Sequence, residues 1–561
     1  MTLTHPPKRR KAMVLAAGLG TRLAPRTDIL PKPLFPIGGT PVLGKMLMNL
    51  HRAGFSDVVV NVHHLAPQVE TYVRENDFGL RVRTVFEPLL LGTGGGMKNV
   101  EDFFDDGPFL AVNADVVTDL DLRSAFDFHL SHSDPATMVF VDCPRHNQVL
   151  VHNGHVISFS KDTEENGGRR LTFTGIQVMD PSVLSLLPKG EPISIIEAYR
   201  QLLDRGESIR AIVASASRWH DMGSFEGFDE AALLEGAERV LPRLSGEAES
   251  PLSVERLSGD GSDRRWYRVR RGSRSVVCAA HGMRESGLQN EADAFFAIGR
   301  HLATKGAPAA PLLYYDSFSG HVFCEDLGDR HLAALISENG PAAMEKSYRT
   351  IVSGLARMAV SAAEGFDTSW TWQTPFYDES VIVTRECGYF LSAFVNGYLG
   401  RNADPADFSA EFSELAARAL EDAPRGFLHR DMQSRNIMAR GGSFFFIDYA
   451  AARLGPLAYD LASLLLDPYA GLPRDMEQRL VDHYLAEAYS LTDLDPDAFR
   501  RSYGLLALCR NLQVLGAFSF LSRVKGKPGF EPFIPAAVRS LKERITAAEF
   551  APRLSALVSS L

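Results

Sequence analysis

At 561 residues the chain is too long for one hydrophobic core, so two domains of roughly 200–300 residues each are expected. Hydrophobic residues at 45% and charged residues at 23% are ordinary for a globular protein and exclude wholesale disorder. A net charge of −10 and an isoelectric point near 5.9 argue against general polyanion binding, so no nucleic-acid partner is expected, although local basic loops can still hold nucleotide phosphates.

Cys143, Cys278, Cys324, Cys387 and Cys509 are scattered, with no CxxC pair or metal-like spacing, which suits a reducing cytoplasm. The opening THPPKRRKAMVLAAG carries basic residues, but its apolar run leads into a glycine loop instead of a cleavage site and reads as a first strand. No uninterrupted apolar run approaches about 20 residues, so no membrane span is expected.

Residues 12–17 (AMVLAA) lack alternation and suit a strand buried on both faces of a parallel sheet. Gly18, Gly20 and Thr21 follow, where the absence of Cβ atoms lets backbone N–H groups approach a phosphate; Arg22 adds positive charge. Lys32 stands between Pro31 and Pro33, whose fixed φ angles stiffen its backbone. The whole stretch LAAGLGTRLAPRTDILPKPLFPIGGTPVL resembles the signature of the sugar-1-phosphate nucleotidyltransferases. Thr40-Pro41 reads as an N-cap and first helical proline, and Gly54 closes that helix before a strand at 58–62. His63 and His64, adjacent and without a further ligand, read as structural. In LGTGGG (91–96), Gly92, Thr93 and Gly94 form a second glycine loop; the resemblance places it over the nucleobase, while alone it would be a flexible surface loop.

The run at 108–117 reaches Asn113 and Asp115 at the carboxyl end of a buried strand, where ligands sit in open α/β sheets, and a carboxylate there suits Mg²⁺. Asp221, in WHDMG, resembles the family's late W-x-D-x-G element and would be the second metal carboxylate; Lys161 and Gly175, like Asn113, fall where the family contacts the sugar phosphate. The resemblance implies attack of a sugar phosphate on the α-phosphorus of a nucleoside triphosphate, with Arg22, Lys32 and Mg²⁺ offsetting charge.

Residues 241–253 lose periodicity and gather Pro, Gly, Ser and Glu, giving expected domains at 1–242 and 254–561 with a linker at 243–253. Gly259, Gly261 and Ser262 precede strand-like WYRVR, as in a hairpin that covers ATP phosphates. The next strand, SVVCAA at 275–280, lacks the lysine such a site uses, which leaves Glu291 without its usual partner; Arg264, Arg265 or Arg284 are the candidate replacements. Glu325 and Leu327, in EDLGD, resemble the adenine-binding hinge of aminoglycoside-phosphotransferase-like kinases. At 427–448, FLHRDMQSRNIMARGGSFFFID supplies Asp431 to orient a substrate hydroxyl, and Asn436 and Asp448 to hold Mg²⁺ against ATP. His429 and Arg430 are read as positioning that loop, Asp460 as its anchor, and CRNLQVLGAFSFL as a core helix.

HRDMQSRNIM with IDYAAARLGPLAYDLASLL resembles the aminoglycoside phosphotransferase superfamily, particularly its cell-wall amino-sugar kinase branch. The implied fold is α/β: a Rossmann-like domain with a mixed, mainly parallel sheet, followed by a bilobal protein-kinase-like α+β domain. The implied function is a cytoplasmic fusion in which ATP phosphorylates the anomeric hydroxyl of an amino sugar and UTP then converts the product to a UDP-sugar. Sugar preference and oligomeric state stay open, with small molecules the expected partners. One rival is a choline kinase fused to a phosphocholine cytidylyltransferase, for which Trp370, Trp372, Phe376 and Tyr377 are a candidate aromatic cage. Another is a nucleotide sensor with an inactive kinase half.

Overall fold

A computed structural model describes residues 9–104, 107–215, 218–242, 250–257, 264–283 and 289–561. It divides into two compact units, Met1–Gly236 and Ala237–Leu561, the division falling within the helix Phe225–Val240. The expected linker at 243–253 lies largely outside the described residues, and Ser253 already begins a strand.

The first unit is built on a nine-stranded sheet. Its order is Arg81–Phe86, Asp57–Val62, Lys11–Leu15, Phe109–Asn113, Arg169–Met179, Ala136–Val141, Ile209–Val213, His155–Ser158, Val149–His152. The first four strands run parallel, as the βαβ reading requires. Met13, Val59 and Ala111 pack into one apolar cluster and Ala12, Val14, Val58 and Val60 into another, so these strands are buried on both faces and need no polar alternation.

The expectation of a mainly parallel sheet is corrected: four of the eight neighbouring pairings are parallel and four antiparallel. Arg169–Met179 opposes both its neighbours, and Val149–His152 turns into His155–Ser158 through Asn153-Gly154, with φ of 47° and 76°. Such a two-residue Asn-Gly turn enforces an antiparallel hairpin. Thr40-Pro41 is likewise corrected. It is a strand paired with Pro36–Ile37 through Gly38 and Gly39 (φ 58° and 74°), and the helix Val42–Arg52 begins after it.

The second unit opens with a five-stranded antiparallel sheet ordered Ser253–Leu257, Arg265–Arg271, Arg274–Ala280, His321–Glu325, Leu312–Asp316. The helix Glu291–Thr304 starts from a capping box between Asn290 and Asp293. The rest is mainly helical and includes two π-helices, Ile382–Cys387 and Phe390–Tyr398. The helix Pro496–Arg523 is long and apolar enough to cross a membrane, but 72% of its apolar window is buried and Leu506, Leu508, Leu512 and Leu515 join the main core, so it reads as the core helix expected from sequence.

Candidate active sites

In the first unit, the run at 108–117 breaks into Phe109–Asn113 and Val116–Thr118, with Asp115 in the turn between them. The chain returns as Trp219–Asp221, where Asp221 pairs in register with Val116 and Met222 N donates to Asp115 O at 3.1 Å. Both carboxylates thereby line one cavity of about 640 Å³ with Arg22, Asn113 and Gly175. The mostly buried Lys32 ammonium forms an ion pair with Asp115. Gly223 makes room for Arg22, whose guanidinium a Cβ there would strike, and at Gly175 (φ 78°) a Cβ would come 2.6 Å from the Asn113 amide. Lys161 is not brought to this cavity. It is exposed, and its carbonyl accepts from Arg170 at 2.9 Å. Arg200 lines the cavity instead, a residue with no sequence signal beyond one charge on an amphipathic helix. Two carboxylates are hard oxygen donors that fit Mg²⁺, which takes its other ligands from phosphates and water.

The first glycine loop is open at Gly18, where an added Cβ would meet nothing within 4 Å, and turns at Gly20 with φ 67° into the 3₁₀ turn Thr21–Leu23. Its entry is pinned from below: Ala16 N donates to Asn61 Oδ1 (2.8 Å), Asn61 Nδ2 to Glu87 Oε1 (2.8 Å), and Leu91 N to Glu87 Oε2 (3.1 Å). Fully buried Glu87 thus ties the first glycine stretch to the second. The second stretch is a correction, since Gly92, Thr93 and Gly94 open the helix Gly92–Asn99 and do not form a loop. A Cβ on Gly95 would lie 2.5 Å from Glu191 O and one on Gly94 2.8 Å from Ile195 N, while Thr93 Oγ1 accepts from Ile195 N at 3.0 Å. These glycines serve close packing. His63 and His64 bond to the carbonyls of Glu87 (2.7 Å) and Thr27 (2.6 Å), in keeping with structural roles.

In the second unit, the strand Arg425–Leu428 pairs with Arg453–Pro456 and delivers His429, Arg430 and Asp431. Buried Asp460 accepts from His429 N (2.5 Å) and Arg430 N (2.9 Å), which makes it the anchor of the loop; burial raises its carboxyl above the usual range. Asp467, missed from sequence, does the same for the far side by accepting from Ser434 N (2.7 Å) and Tyr469 N (3.0 Å). These anchors hold Arg430 at φ 80°, and Asp448 sits at φ 67°, both unfavourable for residues with a Cβ. Asn436 Nδ2 donates to Asp431 O (2.9 Å) and Oδ2 (3.0 Å), and Gln433 Nε2 to Oδ2 (3.0 Å).

Glu325, Leu327, Asp431, Asn436 and Asp448 all line one cavity of about 940 Å³. With the Asn436 amide nitrogen turned to Asp431, its oxygen and the Asp448 carboxylate are a donor pair that fits Mg²⁺. Gly259, Gly261, Ser262 and Arg284 lie outside the described residues.

Val277 lines the cleft, and Ala279, two residues on along the same face of the strand, is fully buried in the apolar core. Arg264, the residue just before the strand Arg265–Arg271, places its Nη2 2.5 Å from Asp448 Oδ1 and 3.4 Å from Glu291 Oε1. Burial alone would raise the Glu291 carboxyl, but His281 and Arg264 outweigh it and hold it below its ordinary value.

The four aromatic residues considered as a cage do not form one. Trp370 packs on His301 and Phe366, Tyr377 is buried with its hydroxyl donating to Glu386 (2.6 Å), and Trp372 and Phe376 are exposed.

Residues 11–237 match the nucleotidyl transferase family and residues 253–499 the phosphotransferase enzyme family. The N-acetylmuramate alpha-1-phosphate uridylyltransferase of Neisseria meningitidis is 33% identical over 238 residues, covering 40% of this chain and 99% of that protein. The UTP–glucose-1-phosphate uridylyltransferase of Synechocystis is 32% identical, covering 39% of this chain and 62% of that protein. A mannose-1-phosphate guanylyltransferase of Mycobacterium tuberculosis is 31% identical with the same two coverages. The chain therefore spans less than two thirds of the length of the latter two relatives. On these matches the first unit belongs to the nucleotidyl transferase family, and the chain joins it to a domain of the phosphotransferase enzyme family.

Proposed function

We propose that the chain is a bifunctional enzyme of peptidoglycan amino-sugar recycling. The second unit phosphorylates the anomeric hydroxyl of N-acetylmuramate or N-acetylglucosamine with ATP, and the first transfers a uridylyl group from UTP to the resulting sugar 1-phosphate. Asp431 orients the C1 hydroxyl and takes its proton as that oxygen bonds to the γ-phosphorus and the bond from the γ-phosphorus to the bridging oxygen breaks, releasing ADP. Arg264, held by Glu291, offsets charge on the ATP phosphates. In the first unit the nucleophile is already an anion, so alignment and charge neutralisation suffice: Arg22 and Lys32 supply charge while Asn113 and Gly175 border the sugar phosphate. Mg²⁺, held by Asp115 and Asp221 in one unit and by Asn436 and Asp448 in the other, would polarise the phosphoryl oxygens.

The observation that carries this reading is the fusion itself. A phosphotransferase cleft with Asp431, Asn436 and Asp448 on one wall shares a chain with a unit matching 99% of the length of a sugar-1-phosphate uridylyltransferase. The economical link is that one half makes what the other consumes. The test is Asp431→Asn, which should abolish sugar phosphorylation and leave uridylyl transfer onto supplied sugar 1-phosphate. Loss of both activities in a folded variant would refute two independent sites.

A further inference from the structure

Beside the catalytic loop lies a second cavity of about 1300 Å³, which shares Gln373, Arg430 and Gln513 with the nucleotide cleft. Three arginines from three elements line it: Arg430 from the catalytic loop, Arg453 from the strand Arg453–Pro456, and Arg385 from the π-helix Ile382–Cys387. π-Helical turns are uncommon and recur at functional sites.

The charges in this wall do not balance. Arg430 has a carboxylate partner in Glu386 at 3.3 Å. That carboxyl is fully buried, is raised by burial, and accepts from the hydroxyls of Tyr377 (2.6 Å) and Tyr459 (3.0 Å). Arg453 is only 3% exposed, yet its guanidinium meets neutral groups alone: Thr374 Oγ1, Gln373 Oε1 (2.9 Å) and Ala451 O (3.2 Å). Among the described residues, neither Arg453 nor Arg385 has a carboxylate partner. A buried cation with no carboxylate in contact is costly; burial, followed by the nearness of Arg430, outweighs the longer-range pull of Tyr377 and of Glu386, the carboxylate already paired with Arg430, and brings Arg453 down to about 10, still protonated at neutral pH. An anion delivered by a ligand would relieve that cost.

We propose that Arg453 and Arg385 receive a carboxylate carried by the sugar acceptor, so that the kinase half selects an acidic amino sugar over its neutral counterpart. This rests on the sugar-kinase reading above. Arg430 adjoins Asp431 in the chain and lines both cavities, so an acceptor whose C1 hydroxyl meets Asp431 extends its ring along this wall. The same wall repels a quaternary ammonium acceptor.

N-acetylmuramate and N-acetylglucosamine are matched probes, differing by a lactyl ether that bears a carboxylate. Phosphorylation rates with each are measured on the full chain, wild type against Arg453→Gln and Arg385→Gln. The expected result is that the ratio of kcat/KM for the acid over the neutral sugar falls about tenfold or more, mainly through KM, as for loss of a hydrogen bond to a charged group. Arg385 is exposed, so its variant reads the same ratio where loss of buried Arg453 disrupts folding. An unchanged ratio in folded variants, or an equal fall for both sugars, overturns this inference and leaves the sugar kinase standing. A wild-type chain that phosphorylates neither sugar overturns both.

Discussion

Removing Arg264 tests whether an arginine just before the adjacent strand does the work of the absent lysine. The side chain is 6% exposed and reaches Asp448 at 2.5 Å and Glu291 at 3.4 Å, so solvent screens it little. A hydrogen bond to a charged group is worth about 1.5–3 kcal/mol, so Arg264→Ala should lower kcat/KM for ATP by about 10- to 150-fold. Arg264→Lys keeps the charge but loses the planar fork that spans both carboxylates, and should fall between the two. Initial rates against ATP at fixed acceptor read the effect, and transfer of uridylyl onto supplied sugar 1-phosphate serves as an unaffected control. A folded Arg264→Ala with unchanged kcat/KM for ATP would refute the assignment. A faster one would show that Arg264 only blocks Asp448.

Asp460→Ala leaves two backbone N–H groups, those of His429 and Arg430, buried without an acceptor at about 1–3 kcal/mol each, so urea unfolding of the second unit should weaken by about 2–6 kcal/mol and kinase activity should vanish. Asp221→Ala should abolish uridylyl transfer and its dependence on added Mg²⁺ while sugar phosphorylation continues; persistence of transfer would remove Asp221 from the metal site. Gly95→Ala forces a Cβ against the Glu191 carbonyl and should cost about 1–3 kcal/mol of first-unit stability, measured as a lowered melting temperature. His129 is held below its ordinary value, chiefly by burial, so the folded chain takes up its proton less readily than the unfolded one. Its contribution is therefore fully present above about pH 6.5 and is lost as pH falls further, because the unfolded chain takes up the proton first. Calorimetry of the full chain should show a melting temperature that drops from pH 7 towards 5.5, with a shallower drop in His129→Gln.

The sequence made legible what is local and strongly patterned. The parallel strands announce themselves as apolar runs, and the Asp431, Asn436 and Asp448 triplet falls within one short stretch, so spacing alone brings it together. Asp221 could be paired with Asp115 only through a resemblance, since the two are joined by a strand pairing across a long chain separation. What escaped are residues whose meaning depends on a partner far away. Asn61 and Glu87 look like ordinary strand-end polar groups until the glycine loop and Leu91 settle on them. The LGTGGG stretch read as a loop because glycine disfavours helix, yet the crowding of Glu191 and Ile195 leaves no room for side chains there, so tertiary packing overrode propensity. Thr40-Pro41 carried a cap signal, but the preceding Gly-Gly turn committed it to a hairpin first. Lys161 is the converse, a residue chosen by analogy that the fold leaves on the surface while Arg200 faces the cavity.

The central claim is that one half of the chain makes the substrate of the other. It is tested most directly by ³¹P NMR of the full chain with Mg²⁺, ATP, UTP and N-acetylmuramate in one tube, beside a tube holding choline in place of the sugar. The account predicts a sugar 1-phosphate signal followed by a UDP-sugar and pyrophosphate in the first tube, with neither phosphocholine nor a nucleotide-choline product in the second. Phosphocholine in the second tube, or no phosphoryl transfer to the sugar in the first, would contradict it.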